Sequence, residues 1–372
     1  TFYNAEAERS DRKYAALLKN SRSEKINGFI NVDPTQISWT HNIKGELAKN
    51  RRYSFDSTSL TASMYRPFSK QWLYYNRRLN ERVYQMPRLF PKAESANIVI
   101  MTTAKGASEF SCMVSDTIPD LNSMAAGDQC FPRYLYSEID SEAGDIAQSP
   151  LFVSRADSNT RVDAIGDAGL CHFQSAYLGE AITKDDVFYY VYGLLHSLDY
   201  RERYADNLTK ELPRIPRVKT AADFWAFSKA GRDLAELHLH YETVPMHAGA
   251  KIDSGGKTLT DADYRVEKMK YGKRGKDKDL TTLIYNAKIT VTGIPLESYD
   301  YVVNGKPALD WVVERQCVKT DKDSGIVNDA NDWAIDTMQN PRYPLELFLR
   351  VITVSLETMK IVRALSALDI LP

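Results

Sequence analysis

A change of sequence pattern near residues 143–169 constrains the fold of this 372-residue chain most strongly. Before this Asp-, Ser-, Gly- and Ala-rich stretch, short apolar runs between turn residues predict strands, most clearly at 97–103. After it, apolar residues recur every three or four positions, which predicts helices over 220–241 and from about 344 onward. Strands followed by helices predict an α+β fold, with a strand-rich N-terminal half and a helical C-terminal half that carries a small inserted sheet.

The length predicts two subdomains, because the chain exceeds the usual size of one domain. We expect a strand-rich subdomain over 1–180 with a leading helix at 4–20, and a helical subdomain over 181–372 with a basic loop and a small sheet. Further expectations are a strand around Ile37 and Trp39, helical turns over 41–49 and strands over 109–116, 129–136, 282–284 and 288–292. We also expect a helix that starts with a capping box of Thr183 and Asp186, a helix over 199–210, a loop over 245–263 and a turn at Asn304–Gly305. The sequence starts at Thr1 as if inside a longer sequence, which suggests a piece excised from a longer polypeptide.

Composition excludes several classes of protein. The net charge is −1, so a case for nucleic-acid binding must rest on local patches. Four scattered cysteines without a CxxC pair argue against a zinc ribbon or a disulfide scaffold and favour a reducing cytoplasm. No apolar run approaches the roughly 18 residues that a membrane span needs.

Two basic segments are the most unusual local features. Residues 65–92 hold seven basic and seven aromatic residues against one acidic residue, Glu81. Residues 264–278 hold seven basic residues against Glu267 and Asp277, with Gly272 and Gly275 allowing close backbone approach. Such segments can bind phosphates and stack on bases. On composition alone, however, the favoured interpretation of segment 65–92 is a strand-rich core piece with a charged, solvated face.

Catalytic signatures are absent from the sequence. The run 254–258 lacks the leading glycine of a phosphate loop, because position 251 is Lys251, and neither GxGxxG nor HExxH occurs. His238 falls on the apolar face of a predicted helix and is interpreted as a core histidine, and it cannot share a metal with His240. Asn340-Pro341-Arg342-Tyr343 is similar to the amine-gripping loop of amino-methyltransferases, yet the start of the last helix is the favoured interpretation. No catalytic residue, metal site or cofactor is therefore expected in this chain.

Several long runs carry a resemblance to a known family. They are YRPFSKQWLYYNRRLNERVYQMPRLFP (65–91), QCFPRYLY (129–136), DVFYYVYGLLHSLDYRERYADNLTKELPRIP (186–216), FWAFSKAGRDLAELHLHYE (224–242), ALDWVVERQCVKTDKDSGIVNDANDW (308–333) and YPLELFLRVITVSLETMKIV (343–362). Their order and spacing resemble the C-terminal specificity region of the single-polypeptide type I, or type ISP, restriction–modification enzymes.

The resemblance implies a target-recognition domain that reads double-stranded DNA in cis with upstream methyltransferase and translocase domains. Adenine methylation and restriction would belong to the parent chain, not to this fragment. Under that interpretation the basic segments 65–92, 201–217 and 264–278 surround one duplex. The candidate DNA-binding residues are Arg66, Lys70, Arg77, Arg78, Arg82, Arg214, Arg217, Lys268, Lys270, Lys273 and Arg274.

Two alternatives stay open at this point. The chain could complete a methyltransferase pocket, or it could be a docking scaffold for the upstream domains that barely touches DNA. For any single arginine in the set, a structural salt bridge is as reasonable as a DNA contact, and Arg66 in particular is a candidate for a structural role.

Overall fold

The computed structural model describes residues 2–9, 26–28, 30–107, 109–136 and 161–371. Its helices are α1 (2–9), α2 (His41–Ala48), α3 (Met86–Leu89), α4 (Asp167–Gln174), α5 (Lys184–His196), α6 (Leu198–Arg203), α7 (Ala205–Leu208), α8 (Ala221–Leu239), α9 (Ala308–Arg315), α10 (Ala330–Asp332) and α11 (Tyr343–Arg363). Its strands are β1 (Leu60–Arg66), β2 (Ser69–Tyr74), β3 (Val99–Thr102), β4 (Cys112–Ser115), β5 (Ile118–Pro119), β6 (Gln129–Pro132), β7 (Tyr134–Tyr136), β8 (Arg161–Asp163), β9 (Lys251–Asp253), β10 (Lys270–Arg274), β11 (Asp277–Ile284), β12 (Thr290–Thr292), β13 (Val302–Val303), β14 (Lys306–Pro307), β15 (Val318–Thr320) and β16 (Val327–Asp329). The α+β class is confirmed.

The N-terminal region is only partly as predicted. Residues 2–9 are helical, as expected, whereas 10–20 lie outside the described residues. The helical turns over 41–49 are confirmed by α2, whose first turn is capped by the Thr40 side chain. The strand predicted at Ile37 and Trp39 is wrong, because both side chains pack on a small core around Leu47 and no strand of the described residues pairs with them. The Trp39 indole instead donates to the Asn31 carbonyl at 2.8 Å.

Small sheets build the first half. They have the strand orders β2-β1-β5 and β4-β3-β6, with β7 and β8 as a separate pair. The predicted strand over 97–103 is confirmed by β3, which pairs antiparallel with both β4 and β6. All four residues of β3 and of β4 are buried, as expected for a central strand and its covered neighbour.

Two long helices dominate the second half. α5 begins at a complete capping box between Thr183 and Asp186, as the sequence predicts. α8 begins after Thr220, whose side chain accepts from the Asp223 amide. The helix predicted over 199–210 is divided into α6 and α7. α11 starts at Tyr343 and buries a long apolar face.

A four-stranded sheet in the order β10-β11-β12-β9 interrupts the helices, and β9 lies in what was predicted to be a loop. Two hairpins flank it: β13–β14 turns at Asn304–Gly305, as predicted, and β15–β16 follows α9.

The buried side chains of the described residues do not separate at residue 180. The largest apolar cluster combines Met64 and Val99 with Leu283 and Phe348, and the second combines Val114 with Leu194. The subdomain boundary therefore stays a prediction, and most of the stretch on which it was based lies outside the described residues. Among the helices that the structure describes, none is both long and apolar enough to cross a membrane.

Candidate nucleic-acid interface

The basic segment that was predicted to be a loop instead forms a two-stranded ribbon of β10 and β11. Arg274 pairs with Asp277, so Gly275 and Lys276 alone make the turn. Gly275 has φ +67° and Lys276 does not have positive φ, which is the II′ turn that suits a two-residue hairpin and requires glycine first. Gly272 serves packing within the ribbon and not the approach of a partner, because a Cβ at this position would lie 3.0 Å from Thr282 Cβ.

The ribbon is fastened to α9 through Tyr271. Its hydroxyl donates to Asp310 Oδ1 at 2.6 Å, and its ring meets Tyr299 edge-on with centroids 5.8 Å apart. Burial, followed by the neighbouring Tyr299 and Asp310, raises the pKa of the Tyr271 phenol. The hydroxyl therefore stays a donor, and the carboxylate that it binds is engaged within the protein.

Between the ribbon and α9 lies a groove with a volume of about 730 Å³, which we call the lysine groove. Six lysines line it, and the only carboxylates among its lining residues are Asp310 and Glu314. The lysines are Lys268, Lys270, Lys273, Lys278, Lys306 and Lys319. Val313, Cys317 and Met269 supply part of its apolar floor.

Internal ion pairs neutralise only one side of the lysine groove. Lys306 binds Glu314, and Lys319 lies 3.9 Å from the same carboxylate. Burial acts to raise the pKa of Glu314, but the bond from Lys306 and the nearby cations outweigh it and hold that pKa below its usual value. By contrast, Lys268, Lys270 and Lys273 are exposed and form no ion pair within the described part of the chain.

The lysine groove is therefore suited to an extended polyanion. Several ammonium groups in one concave surface raise the local positive potential and fix phosphates without regard to base sequence. No cluster of three or more metal-ligating side chains occurs among the described residues.

Four of the eleven predicted residues belong to this surface. Lys268, Lys270 and Lys273 line the lysine groove, and Arg274 stands exposed at the end of β10. Their role in DNA binding stays a prediction.

Two other predicted residues hold the fold together. Arg66 Nη1 lies 3.0 Å from Asp120 Oδ1, and its guanidinium covers the Tyr65 ring at 4.0 Å. Lys70 Nζ lies 2.6 Å from Glu242 Oε2, and both side chains are largely buried. A free phosphate would have to displace these carboxylates.

The loop after β2 carries three further predicted residues, and none of them lines the lysine groove. Arg77 and Arg82 are exposed and make no ion pair within the described part of the chain, whereas Arg78 lies 4.0 Å from Glu46. Arg82 and Tyr84 have φ of +52° and +43°, which is strained for large side chains.

Arg214 and Arg217 line neither the lysine groove nor its neighbour described below. Arg214 pairs with Glu211 at 2.9 Å, and Arg217 donates to the His172 carbonyl at 2.9 Å. The structure therefore does not join the segment around residue 214 to the lysine groove.

Three lysines of the groove were not predicted: Lys278, Lys306 and Lys319. Lys278 belongs to the basic run over 264–278 and could have been predicted with its neighbours. Lys306 in β14 and Lys319 in β15 are isolated in the sequence, and only tertiary packing brings them into the lysine groove.

The segment that is similar to a methyltransferase loop has a structural role here. Asn340 Oδ1 accepts from the Arg342 amide at 3.0 Å, which closes a turn before α11. Tyr343 is buried, and its hydroxyl donates to Glu242 at 2.5 Å. Its ring is therefore not presented for stacking on a base.

Known proteins resemble this chain in sequence pattern and in fold. The family model described as the Type ISP C-terminal specificity domain matches residues 1–347. No curated protein matches the chain in sequence.

Among the solved structures that share the fold are three complexes with DNA or a DNA substrate mimic. A nuclease-deletion mutant of the Type ISP restriction–modification enzyme LlaGI, in complex with a DNA substrate mimic, is 34% identical over 100% of this chain, with a TM-score of 0.78. The ATP-dependent Type ISP restriction–modification enzyme LlaBIII bound to DNA is 33% identical over 99%, with a TM-score of 0.80. The DrdV–DNA complex is 27% identical over 100%, with a TM-score of 0.76. The matches cover only 30%, 22% and 33% of those three chains, respectively.

Proposed function

Because this chain belongs to the family of Type ISP C-terminal specificity domains, we propose that it recognises a sequence in double-stranded DNA. The structural observation that carries the proposal is the lysine groove. Its open side presents exposed cations that form no ion pair with any described residue, and the β10–β11 ribbon beside it is a two-stranded element of the kind that the major groove admits.

The proposed role is recognition without catalysis. The chain would direct adenine methylation and restriction by methyltransferase and translocase domains of the same polypeptide, and would need no cofactor of its own. The similar structures named above are restriction–modification enzymes or complexes that contain DNA, which supports DNA as the partner. Such a role requires access to DNA, so we expect a cytoplasmic protein.

Neutralising the cations at the exposed end of the β10–β11 ribbon tests whether they bind DNA phosphates. The variant Lys270→Gln, Lys273→Gln, Arg274→Gln should bind a mixed-sequence duplex more weakly at every salt concentration, because counterion release is lost. The slope of log K against log salt should flatten by about 0.9 for each phosphate contact removed. Fluorescence anisotropy between about 0.05 and 0.3 M salt measures both quantities.

A matched control removes the same charge elsewhere. Lys219, Lys229 and Lys360 are exposed, and each is paired with a carboxylate outside the lysine groove. Their triple glutamine variant should keep most of the affinity and the slope. An equal loss in both variants would mean that net charge, and not the lysine groove, governs binding.

The two alternatives make different predictions for the same chain. A docking scaffold would leave the duplex unbound even at low salt. A methyltransferase pocket would bind labelled adenosylmethionine, but the buried Tyr343 offers no stacking surface to a flipped base.

A further inference from the structure

A second groove adjoins the lysine groove and has a different chemistry. It has a volume of about 410 Å³ and lies between β2 and the β15–β16 hairpin. Glu314, Cys317 and Lys319 line both grooves, so the two form one continuous surface. We call this second groove the amide groove, after Gln71 and Asn328 on its opposite walls.

The two amides form a pair in which some hydrogen-bond donors and acceptors have no partner among the described residues. Gln71 Nε2 donates to Asn328 Oδ1 at 3.4 Å, and the pair lies at the surface. No other side-chain hydrogen bond joins either amide to the rest of the described chain. In either orientation of the two amides, one carbonyl oxygen and at least one N–H group remain available to a partner.

An aromatic wall stands beside the amide pair. Trp72 is 59% exposed, and its indole nitrogen donates to Thr337 Oγ1 at 3.0 Å, which holds the ring in one orientation. Trp333 packs against it with centroids 5.8 Å apart. The residues Trp333–Thr337 form a π-helical turn, a local irregularity that often accompanies functional sites. The wall offers a rigid apolar surface next to a donor and an acceptor.

The charges of the amide groove disfavour phosphate. Asp332 and Asp336 line it, and neither forms an ion pair within the described residues. Asp329 also lines it and binds Arg265 at 2.7 Å. A phosphate entering here would meet carboxylates, whereas an uncharged base edge would not.

The cations that the amide groove does not share with the lysine groove are Lys70 and Arg315. Both are already paired with carboxylates, Lys70 with Glu242 and Arg315 with Glu314 at 3.0 Å. The continuous surface therefore has one part that suits the DNA backbone and an adjoining part that suits base edges.

On this basis we propose that Gln71 and Asn328 read the major-groove edge of one A·T pair. Adenine presents the N7 acceptor beside the N6 donor, which matches the free donor and acceptor of the amide pair. The methyl group of the paired thymine would contact the face of Trp72. This inference rests on the proposed recognition of duplex DNA and assigns a specificity-determining role within it.

Selection from a randomised duplex pool tests the assignment. The unmodified 372-residue chain, Gln71→Ala and Asn328→Ala are each used to enrich duplexes, which are then sequenced. Both variants should lose about 5- to 150-fold of the preference for adenine at one and the same position. Preferences at the other positions should remain. Asn207→Ala removes an exposed amide on α7 that lines neither groove and should change nothing.

A change of chemistry at the same site sharpens the test. Gln71→Glu keeps the size of the side chain but leaves only acceptors, so the preferred base should shift toward cytosine, whose N4 group donates. Replacing the selected adenine by 7-deazaadenine removes N7. The unmodified chain should then lose affinity by a similar factor, whereas Gln71→Ala should lose little more.

The outcomes separate this inference from the proposed function. Unchanged base preferences in both alanine variants would overturn the assignment of Gln71 and Asn328 while leaving sequence recognition intact. A pool that the unmodified chain binds without enrichment, or does not bind, would overturn sequence recognition itself.

Discussion

His238 shows how a single buried residue can tie the helical half together. Its two ring nitrogens contact the Tyr192 hydroxyl at 2.6 Å and the Thr358 hydroxyl at 2.8 Å, which links α5, α8 and α11. The ring stacks on Tyr301 with centroids 5.3 Å apart and planes 6° apart. Both nitrogens are occupied by neighbouring side chains, so the interpretation as a core histidine is confirmed.

Burial makes the stability of the protein depend on pH. Desolvation lowers the pKa of His238 to about 3, and burial together with the Arg201 charge also lowers the pKa of His196. Between pH 6.5 and about 3 the unfolded chain binds a proton at position 238 and the folded chain does not. The lowered pKa of His196 acts in the same direction. The free energy of unfolding should therefore fall as the pH falls through this window, by up to about 1.4 kcal/mol per pH unit for each histidine.

The variant His238→Gln tests this linkage. It should be less stable at pH 7, because the hydrogen bonds to Tyr192 and Thr358 change, but its stability should fall less steeply between pH 6.5 and 4. Urea unfolding at several pH values gives the slope. His240→Gln, at the exposed end of α8, is the control and should keep the slope of the unmodified chain. A slope unaffected by His238→Gln would contradict the burial of a neutral imidazole.

At the scale of elements, α5 and α8 approach each other so closely that their backbones touch. A Cβ on Gly231 would lie 1.8 Å from the Tyr189 carbonyl oxygen, and a Cβ on Gly193 would lie 2.2 Å from that of Phe227. Glycines at these two facing positions therefore set the distance between the helices. This contact forms the centre of the second apolar cluster, around Tyr190, Phe224 and Phe227.

Gly231→Ala should destabilise the protein by at least the roughly 1–3 kcal/mol typical of overpacking, because rigid backbone leaves the new methyl group no space. The free energy of unfolding in urea measures the effect. Gly45→Ala, inside α2, meets nothing within 4 Å and should stabilise the protein by roughly 0.5–1 kcal/mol through helix propensity. If Gly231→Ala were as stable as the unmodified chain, the close approach of α5 and α8 would be incorrect.

At the scale of the whole molecule, the elements that were predictable are those determined by residues close together in the sequence. The capping residues and three- and four-residue spacings of α5, α8 and α11 are local, and these helices lie where they were expected. The alternation at Ile37 and Trp39 is also local, but a strand needs a partner strand, and neither the pattern nor its neighbours indicate one.

The residues of the candidate interface were predictable only where they lie close together in the sequence. Lys268, Lys270 and Lys273 lie in one basic run, whereas Lys306 and Lys319 reach the groove through tertiary packing. The ion pairs were not predictable either, because their partners are far apart in the sequence. Arg66 and Asp120 are 54 residues apart, and Lys70 and Glu242 are 172 residues apart. No local pattern distinguishes such paired cations from the free ones on the ribbon.

The ratio of two affinities tests the central claim most directly. The affinity of the unmodified chain for a duplex selected from a random pool is divided by its affinity for a scrambled duplex of the same composition, at about 0.15 M salt. Sequence recognition predicts a ratio of about 10³ or more, because base contacts add to a shared phosphate grip. A ratio close to one would show that the lysine groove holds DNA without reading it, and would contradict the account.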